Sequence, residues 1–266
     1  MAIHRAPLPI LHYSHVDYSY PDSSFSSRFF PWITPTKFER HLKILSRLGY
    51  TALTFDEASK LHFQRKTIPR KSLVLTFEGG MRSFFLHALP LLKKHGARAT
   101  VFLATRTIGN KLSTSGENGL PPLDVLSTFM IKESAEKGIE FGIHGSRYRD
   151  LVGLDHVEIW QDLEESSTAV SELIRTAPVT FAYPFGRYNR QIIRLVLEKG
   201  FHGACTLRPG IDGPGIGLLT EEENFVFGRY SIDRAIGFLR FFLIISGLKP
   251  FFDWASGSRR DQVLPH

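Results

Sequence analysis

The sequence predicts an α/β fold built on a parallel sheet, with a (β/α) barrel as its preferred form. Three observations carry this. Strand-like and helix-like segments alternate along the chain in about seven β-then-α units. No repeat, linker or shift in composition divides the 266 residues. The strands are short and numerous, and about 250 residues is a usual barrel length. A doubly wound open sheet is the alternative.

Residues 8–16 are apolar and read as extended. Thr34 then stands as a helix N-cap with Pro35 at the first helical position, where a fixed φ and a missing N–H do no harm. Phe38, Leu42, Leu45 and Leu48 give that helix one apolar face, and Gly49 closes it. Residues 51–55 read as a short strand, followed by a brief helix through Ala58 and Leu61. The run SLVLTF at 72–77 has the unbroken apolar character of a strand covered on both faces. The next helix carries Phe85, Leu89 and Leu92 and stops at Gly96, with Pro90 expected to kink it.

Residues 99–103 form the following strand, and 105–118 a polar Gly/Ser/Thr-containing loop of the length common in functional surface loops. A helix is expected over 125–137, ended by Gly138, with a strand at 139–143. Asp155 begins a long helix to about Ile174, and 179–183 is the strand after it. Asn189 opens a helix that ends at Gly200, and 202–207 is a further strand. Residues 210–217 form a Gly-rich turn without the strand-to-helix setting of a dinucleotide loop, and 225–232 is the last strand. The whole chain reads as a single domain, with 236–266 a C-terminal helical or irregular extension.

Composition narrows the function. Hydrophobic residues at 42% and charged residues at 22% exclude disorder, collagen and coiled coil. The single Cys205 excludes an internal disulfide, and its apolar neighbours make it an inert core thiol. The net charge of +7 comes from scattered Lys and Arg, not from the stripe with interleaved aromatics of a nucleic-acid binder, so no nucleic acid is expected as partner. The window 236–252 is too short and too interrupted to span a bilayer. It reads as an amphipathic helix packed on the body, with a helix resting on a membrane as the alternative. No secretory signal opens the chain, which gives a cytoplasmic expectation, or a periplasmic or extracellular one for a form that has shed its signal.

In a barrel the chemistry lies at the C-terminal ends of the strands. Three strand ends carry polar or special residues: Thr76-Phe77-Glu78-Gly79-Gly80, His144-Gly145-Ser146-Arg147-Tyr148 and Tyr183-Pro184-Phe185-Gly186-Arg187. They place a carboxylate, an imidazole and a Pro/Gly turn at one mouth. Glu78 is a candidate base or ligand, and His144 a candidate ligand or acid. The Phe185 and Gly186 N–H groups are candidates for stabilising an oxyanion. Structural hydrogen bonding by Glu78 and His144 is the competing reading. No G-x-S-x-G, P-loop or H-E-x-x-H motif competes.

At these segments, and from residue 8 to about 234, the chain resembles the polysaccharide deacetylases (the NodB-homology group of carbohydrate esterase family four). The resemblance includes PILHYSHV, TFEGGMRSFFLHALPLLKKHGARATVFL, IEFGIHGSRYRDLVGL and FAYPFGRYN. It is nearest to the exopolysaccharide deacetylase branch, which carries FAYPYG. The resemblance implies a distorted (β/α)7 barrel and, for active members, removal of N-acetyl groups from glucosamine-containing polymers. It also implies roles: a first motif T-F-D-D-G with a base and then a metal ligand, and a second motif with two ligand histidines.

Here those positions hold Glu78 and Gly79, then His144 and Tyr148, so two of three implied ligands are replaced. The third motif survives in Tyr183, Pro184, Phe185 and Gly186, with Tyr183, Pro184 and Arg187 implied to bind substrate. The late acid histidine has no counterpart, since only His202 and His266 follow His156. A lone imidazole holds zinc too weakly for use. No cofactor is therefore expected, and zinc only if Glu78 turns to the metal position and His12 or His15 joins His144. His12 and His15 lie on opposite strand faces, so at most one points inward.

Two readings stand. One is a deacetylase-like protein that binds an N-acetylated polysaccharide, or a partner in exopolysaccharide machinery, with metal-dependent hydrolysis lost or reduced. The other is an active deacetylase that cleaves carbon–nitrogen, non-peptide amide bonds of N-acetylglucosamine polymers through a remodelled site.

Overall fold

The computed structural model describes residues 8–19, 31–64, 66–112, 122–207 and 225–248. The Gly-rich turn, His266, the second half of the polar loop and most of the C-terminal extension lie outside these residues.

The chain begins with β1 (Ile10–Tyr13), β2 (His15–Val16), β3 (Trp32–Ile33) and α1 (Pro35–Arg47). Thr34 caps α1, its hydroxyl accepting from the Lys37 N–H at 3.3 Å. Then come β4 (Thr51–Leu53), α2 (Phe55–Phe63) and β5 (Ser72–Glu78). Phe55 opens α2 and does not close the strand as expected, because Thr54 and Glu57 form a reciprocal capping box that starts the helix there. The next helix winds in π fashion over Phe84–Ala88 and continues as α3 (Leu89–Lys94). Pro90 sits in the first turn of α3, so the expected kink takes the form of this change of winding.

β6 (Thr100–Leu103), β7 (Lys111–Leu112), β8 (Leu123–Asp124) and α4 (Thr128–Glu136) follow. α4 starts three residues later than expected, where Ser127 caps it. β9 (Glu140–Ile143) leads to α5 (His156–Ile174), capped by Asp155 and Glu158. The chain continues with β10 (Thr180–Ala182), α6 (Arg190–Glu198) and β11 (Gly203–Thr206). The expected last strand divides into β12 (Phe227–Gly228) and β13 (Tyr230–Ser231), before α7 (Phe238–Ile245).

Nine strands share one sheet in the order β12-β11-β10-β9-β6-β5-β1-β13, every pair parallel, with β4 alongside the start of β5. β12 and β13 pair with β11 and β1, at opposite ends of this row, yet only Arg229 separates them in the chain. The sheet is thereby drawn round into a nearly closed barrel, and the open-sheet alternative falls.

Alternation along the strands produces two cores. Leu73, Leu75 and Phe77 of β5 face outward into the layer beneath the helices. Val74 faces inward with Ile10, Phe102, Ala182, Cys205 and Phe227. Cys205 is fully buried there, and burial pushes its thiol up to about 12, in keeping with an inert role.

At the N-terminal end of the barrel Glu140 accepts from the hydroxyls of Thr100 (2.9 Å) and Thr180 (2.6 Å) and from the Asp56 N–H (3.0 Å). This ties β6, β9 and β10 to the start of α2.

Candidate functional site

At the C-terminal end the inward positions change from apolar to ionisable. His12 of β1, Glu78 of β5, His144 after β9 and Arg229 between β12 and β13 are all fully buried. They meet at the Glu78 carboxylate. Oε1 lies 3.1 Å from His144 Nε2 and accepts from the Tyr148 hydroxyl at 2.9 Å. Oε2 lies 3.3 Å from His12 Nε2 and accepts from an Arg229 guanidinium N–H at 2.5 Å.

Each partner is held from behind. Arg229 Nε donates to the Thr206 carbonyl at 3.2 Å, and its guanidinium lies 5.6 Å from the Phe102 ring centre. His144 Nδ1 donates to the Ala182 carbonyl at 2.6 Å, which puts the proton on Nδ1 and turns Nε2 inward. His12 Nδ1 sits 3.1 Å from the Ser231 hydroxyl. Asp162 of α5 fixes the His144 loop by accepting from the Ser146 N–H (2.9 Å) and hydroxyl (2.7 Å). A Cβ on Gly145 would stand 2.7 Å from Asp162 Oδ2, so the loop requires glycine there.

The charges follow from these contacts. Burial alone would raise Glu78, but Arg229, His144 and His12 outweigh it and hold the carboxyl well below its usual range. Burial lowers His12 to about 3, with Arg229 and His144 adding to the effect against Glu78. Burial, then Glu78, pushes the Tyr148 phenol well above its usual value, so it stays a neutral donor. The centre is thus a buried Glu78–Arg229 ion pair flanked by the neutral His12 imidazole, the His144 imidazole and the Tyr148 phenol. A carboxylate so stabilised is a weak base, since a low pKa gives little drive to take up a proton.

The positions singled out in the sequence fall into two groups. Glu78, His144 and Tyr148 come together, and His12 is the inward histidine of the first strand. Phe185 also reaches the mouth: its ring meets Tyr148 at 4.9 Å edge-on, and Tyr148 in turn meets His144 at 4.5 Å. Its backbone holds a left-handed φ of 57°, unusual for a bulky residue.

The other third-motif positions are engaged elsewhere. The Gly186 N–H is spent on the Tyr183 carbonyl at 2.9 Å and so is not an oxyanion donor. Tyr183 follows inward-facing Ala182 and turns outward, packing on Phe181 and Tyr188 beneath the helices. Pro184 is buried, and Arg187 forms an ion pair with Asp150 at 2.5 Å. His15 faces away from Glu78, 3.2 Å from the Ser83 hydroxyl. His202 lies at the opposite end of the barrel, 2.8 Å from Asp56.

The sequence reading overlooked Arg229. The signal lay in residues 225–232, where Arg229 shares the parity of Phe227 and must enter the barrel if Phe227 does.

The residues here do not fit a divalent ion. Among the described residues no group of three or more His, Cys, Asp or Glu is arranged to hold one. Gly79 offers no ligand atom, Tyr148 spends its hydroxyl on Glu78, and Arg229 already supplies a cation at that carboxylate. A dication would have to share Glu78 with a buried guanidinium, which is a strong repulsion at low dielectric.

A family profile described as Polysaccharide deacetylase matches residues 65–204. YxkH of Bacillus subtilis (strain 168), which carries a polysaccharide deacetylase name, is 30% identical over 205 residues, 77% of this chain and 66% of that protein. The poly-beta-1,6-N-acetyl-D-glucosamine N-deacetylase of Staphylococcus aureus is 25% identical over 178 residues, 63% of this chain and 58% of that protein. The chain therefore spans less than two thirds of the length of these curated relatives.

Among solved structures, the Streptococcus pyogenes deacetylase PplD superposes with a TM-score of 0.75 at 20% identity, covering 90% of this chain and 97% of that one. IcaB from Ammonifex degensii gives 0.68 at 20% identity, with 92% and 99% covered. At that identity the likeness concerns the fold, a barrel of the same type.

Proposed function

We propose that this chain, which belongs to the polysaccharide deacetylase family, binds N-acetylated glycans at the mouth of its barrel with metal-dependent hydrolysis lost or reduced. The observation that supports this reading is the buried ion pair between Glu78 and Arg229. The guanidinium takes up the Glu78 oxygen that a base would need free, and no second carboxylate follows at Gly79. The curated relatives include a deacetylase of an N-acetylglucosamine polymer, which suggests the ligand class. Phe185, half-buried and packed edge-on against the buried Tyr148, supplies aromatic surface beside the centre.

A second reading rests on a separate observation. His12 Nε2 and His144 Nε2 are buried and converge on the Glu78 carboxylate at 3.3 and 3.1 Å, and the His144–Ala182 contact is the backing that metal-bound histidines usually have. This favours an active deacetylase with a remodelled site.

Calorimetric titration of the metal-stripped chain with zinc, beside His144→Ala, separates the two. No heat with zinc, together with saturable binding of N-acetylglucosamine oligomers, is the result expected. Zinc binding at micromolar or tighter that His144→Ala abolishes, with acetate released from the oligomers, would replace it by the second reading. Absence of oligomer binding would remove the glycan assignment.

A further inference from the structure

The helix α7, FLRFFLII, is apolar on both sides, and Arg240 is its only polar residue. Phe241, Ile244 and Ile245 are buried against the body: the Phe241 ring stacks on His41 of α1 at 4.0 Å, and the Ile245 carbonyl accepts from the Tyr50 hydroxyl at 2.8 Å. The opposite side faces solvent, with Phe238 67%, Leu239 69% and Phe242 37% exposed. A surface helix ordinarily turns polar residues outward, and one that is apolar all round belongs in an apolar medium on both sides.

Among the described residues the charges around this face have one sign in excess. Arg240 and Arg234 are exposed on the segment itself, and Arg40 is exposed on the adjoining turn of α1. Lys37 joins them through a 2.6 Å bond to the Arg234 carbonyl. Asp233 is the acid among them, and it caps the start of the segment by accepting from the Ala235 and Ile236 N–H groups. No helix among the described residues is long and apolar enough to cross a membrane. Eight residues make about 12 Å of helix, enough to lie in the headgroup region with one face immersed.

We infer that α7 docks the protein on an anionic lipid surface, with Phe238, Leu239 and Phe242 entering the interface and Arg240, Arg234, Arg40 and Lys37 on the headgroups. The charge pattern favours this occupant over a second copy of the chain. Self-association through the same face would bring like charges together, whereas anionic headgroups complement them.

The test is co-sedimentation of the full chain with phosphatidylcholine vesicles, with and without phosphatidylglycerol. The variants are Phe238→Ser/Leu239→Ser and Arg240→Glu, whose exposed side chains leave the fold's melting temperature in place. Binding should require phosphatidylglycerol and weaken at high salt. The apolar double variant should lower it about tenfold or more, and Arg240→Glu should lower it about tenfold. Equal sedimentation of parent and variants, or none with either vesicle, would overturn the inference. So would a concentration-dependent dimer that the double variant abolishes, which would assign the face to self-association.

Discussion

Replacing Arg229 by Met tests the buried ion pair most directly. Met keeps the length and flexibility of the stem, so lost packing is kept small, while Glu78 stays fully buried without its strongest counter-charge. Removing one partner of such a pair typically costs about 3–5 kcal/mol. In a chain of this length each kcal/mol lowers the melting temperature by about 2–4 °C, which gives a fall of roughly 6–20 °C.

The pH dependence has a definite sign. Glu78 is held below its usual range, so its charge stabilises the fold above about pH 4.3, and that contribution goes as pH falls through the depressed folded value. Without Arg229 the folded value rises, so the variant's deficit is largest near neutrality and shrinks in acid. Adding Glu78→Gln removes the stranded charge and should recover most of the loss, since a neutral replacement of both partners is often tolerated. Urea unfolding of the parent, Arg229→Met, Glu78→Gln and the double variant at pH 7 and pH 4.5 measures all of this. A deficit under about 1 kcal/mol for Arg229→Met, or a double variant no better than the single, would refute the description of the centre as a dry ion pair.

The His12 imidazole, at about 3 when folded against 6.5 free, contributes stability that is complete above pH 6.5 and declines as pH falls toward 3. The parent's unfolding free energy should therefore drop between pH 6.5 and 5 by an amount that His12→Gln reduces by about 2 kcal/mol; an unchanged drop would contradict the burial of His12. The triple variant Gly79→Asp/Tyr148→His/Arg229→Met, which removes the guanidinium that competes for Glu78, should gain zinc at micromolar affinity or better by calorimetry, at some loss of stability because Gly79 holds a φ of 77°. Failure to bind would mean that the mouth's backbone has moved away from the family geometry. Gly186→Ala should lose about 1–3 kcal/mol in the same urea assay, because its φ is 68° and its Cβ would stand 2.7 Å from the Leu207 backbone nitrogen. A neutral outcome would show that the turn after β10 is pliable.

The barrel was legible because its elements are punctuated locally. Thr34 with Pro35, Asp155, Asn189, Gly49 and Gly138 mark ends that the chain keeps, and the strands between them read as apolar runs. Where two local signals compete, the stronger hydrogen-bonding one wins, as when the Thr54–Glu57 box draws Phe55 into a helix despite its strand-like neighbours. At the site, residues sitting at strand ends could be placed from spacing, so Glu78, His144 and the inward His12 were visible. The contact between Glu78 and Arg229 links positions 151 apart, and spacing along the chain has no bearing on it. Tyr183 misled because a motif names neighbours, whereas a strand sends neighbours to opposite faces.

Arg229 is both the counter-charge of Glu78 and the one residue joining the two strands that bring the ring's ends together. This constrains how the sequence can drift. An acid introduced first at Gly79 would set two carboxylates side by side against a single guanidinium; a neutral residue introduced first at Arg229 would strand Glu78. Each single step toward a two-acid centre is unfavourable in the background of the other, so the order of substitutions matters and the tolerated paths run through Glu78 itself. The site is an epistatic knot, and a survey of tolerated sequences should find positions 78, 79 and 229 changing together or not at all.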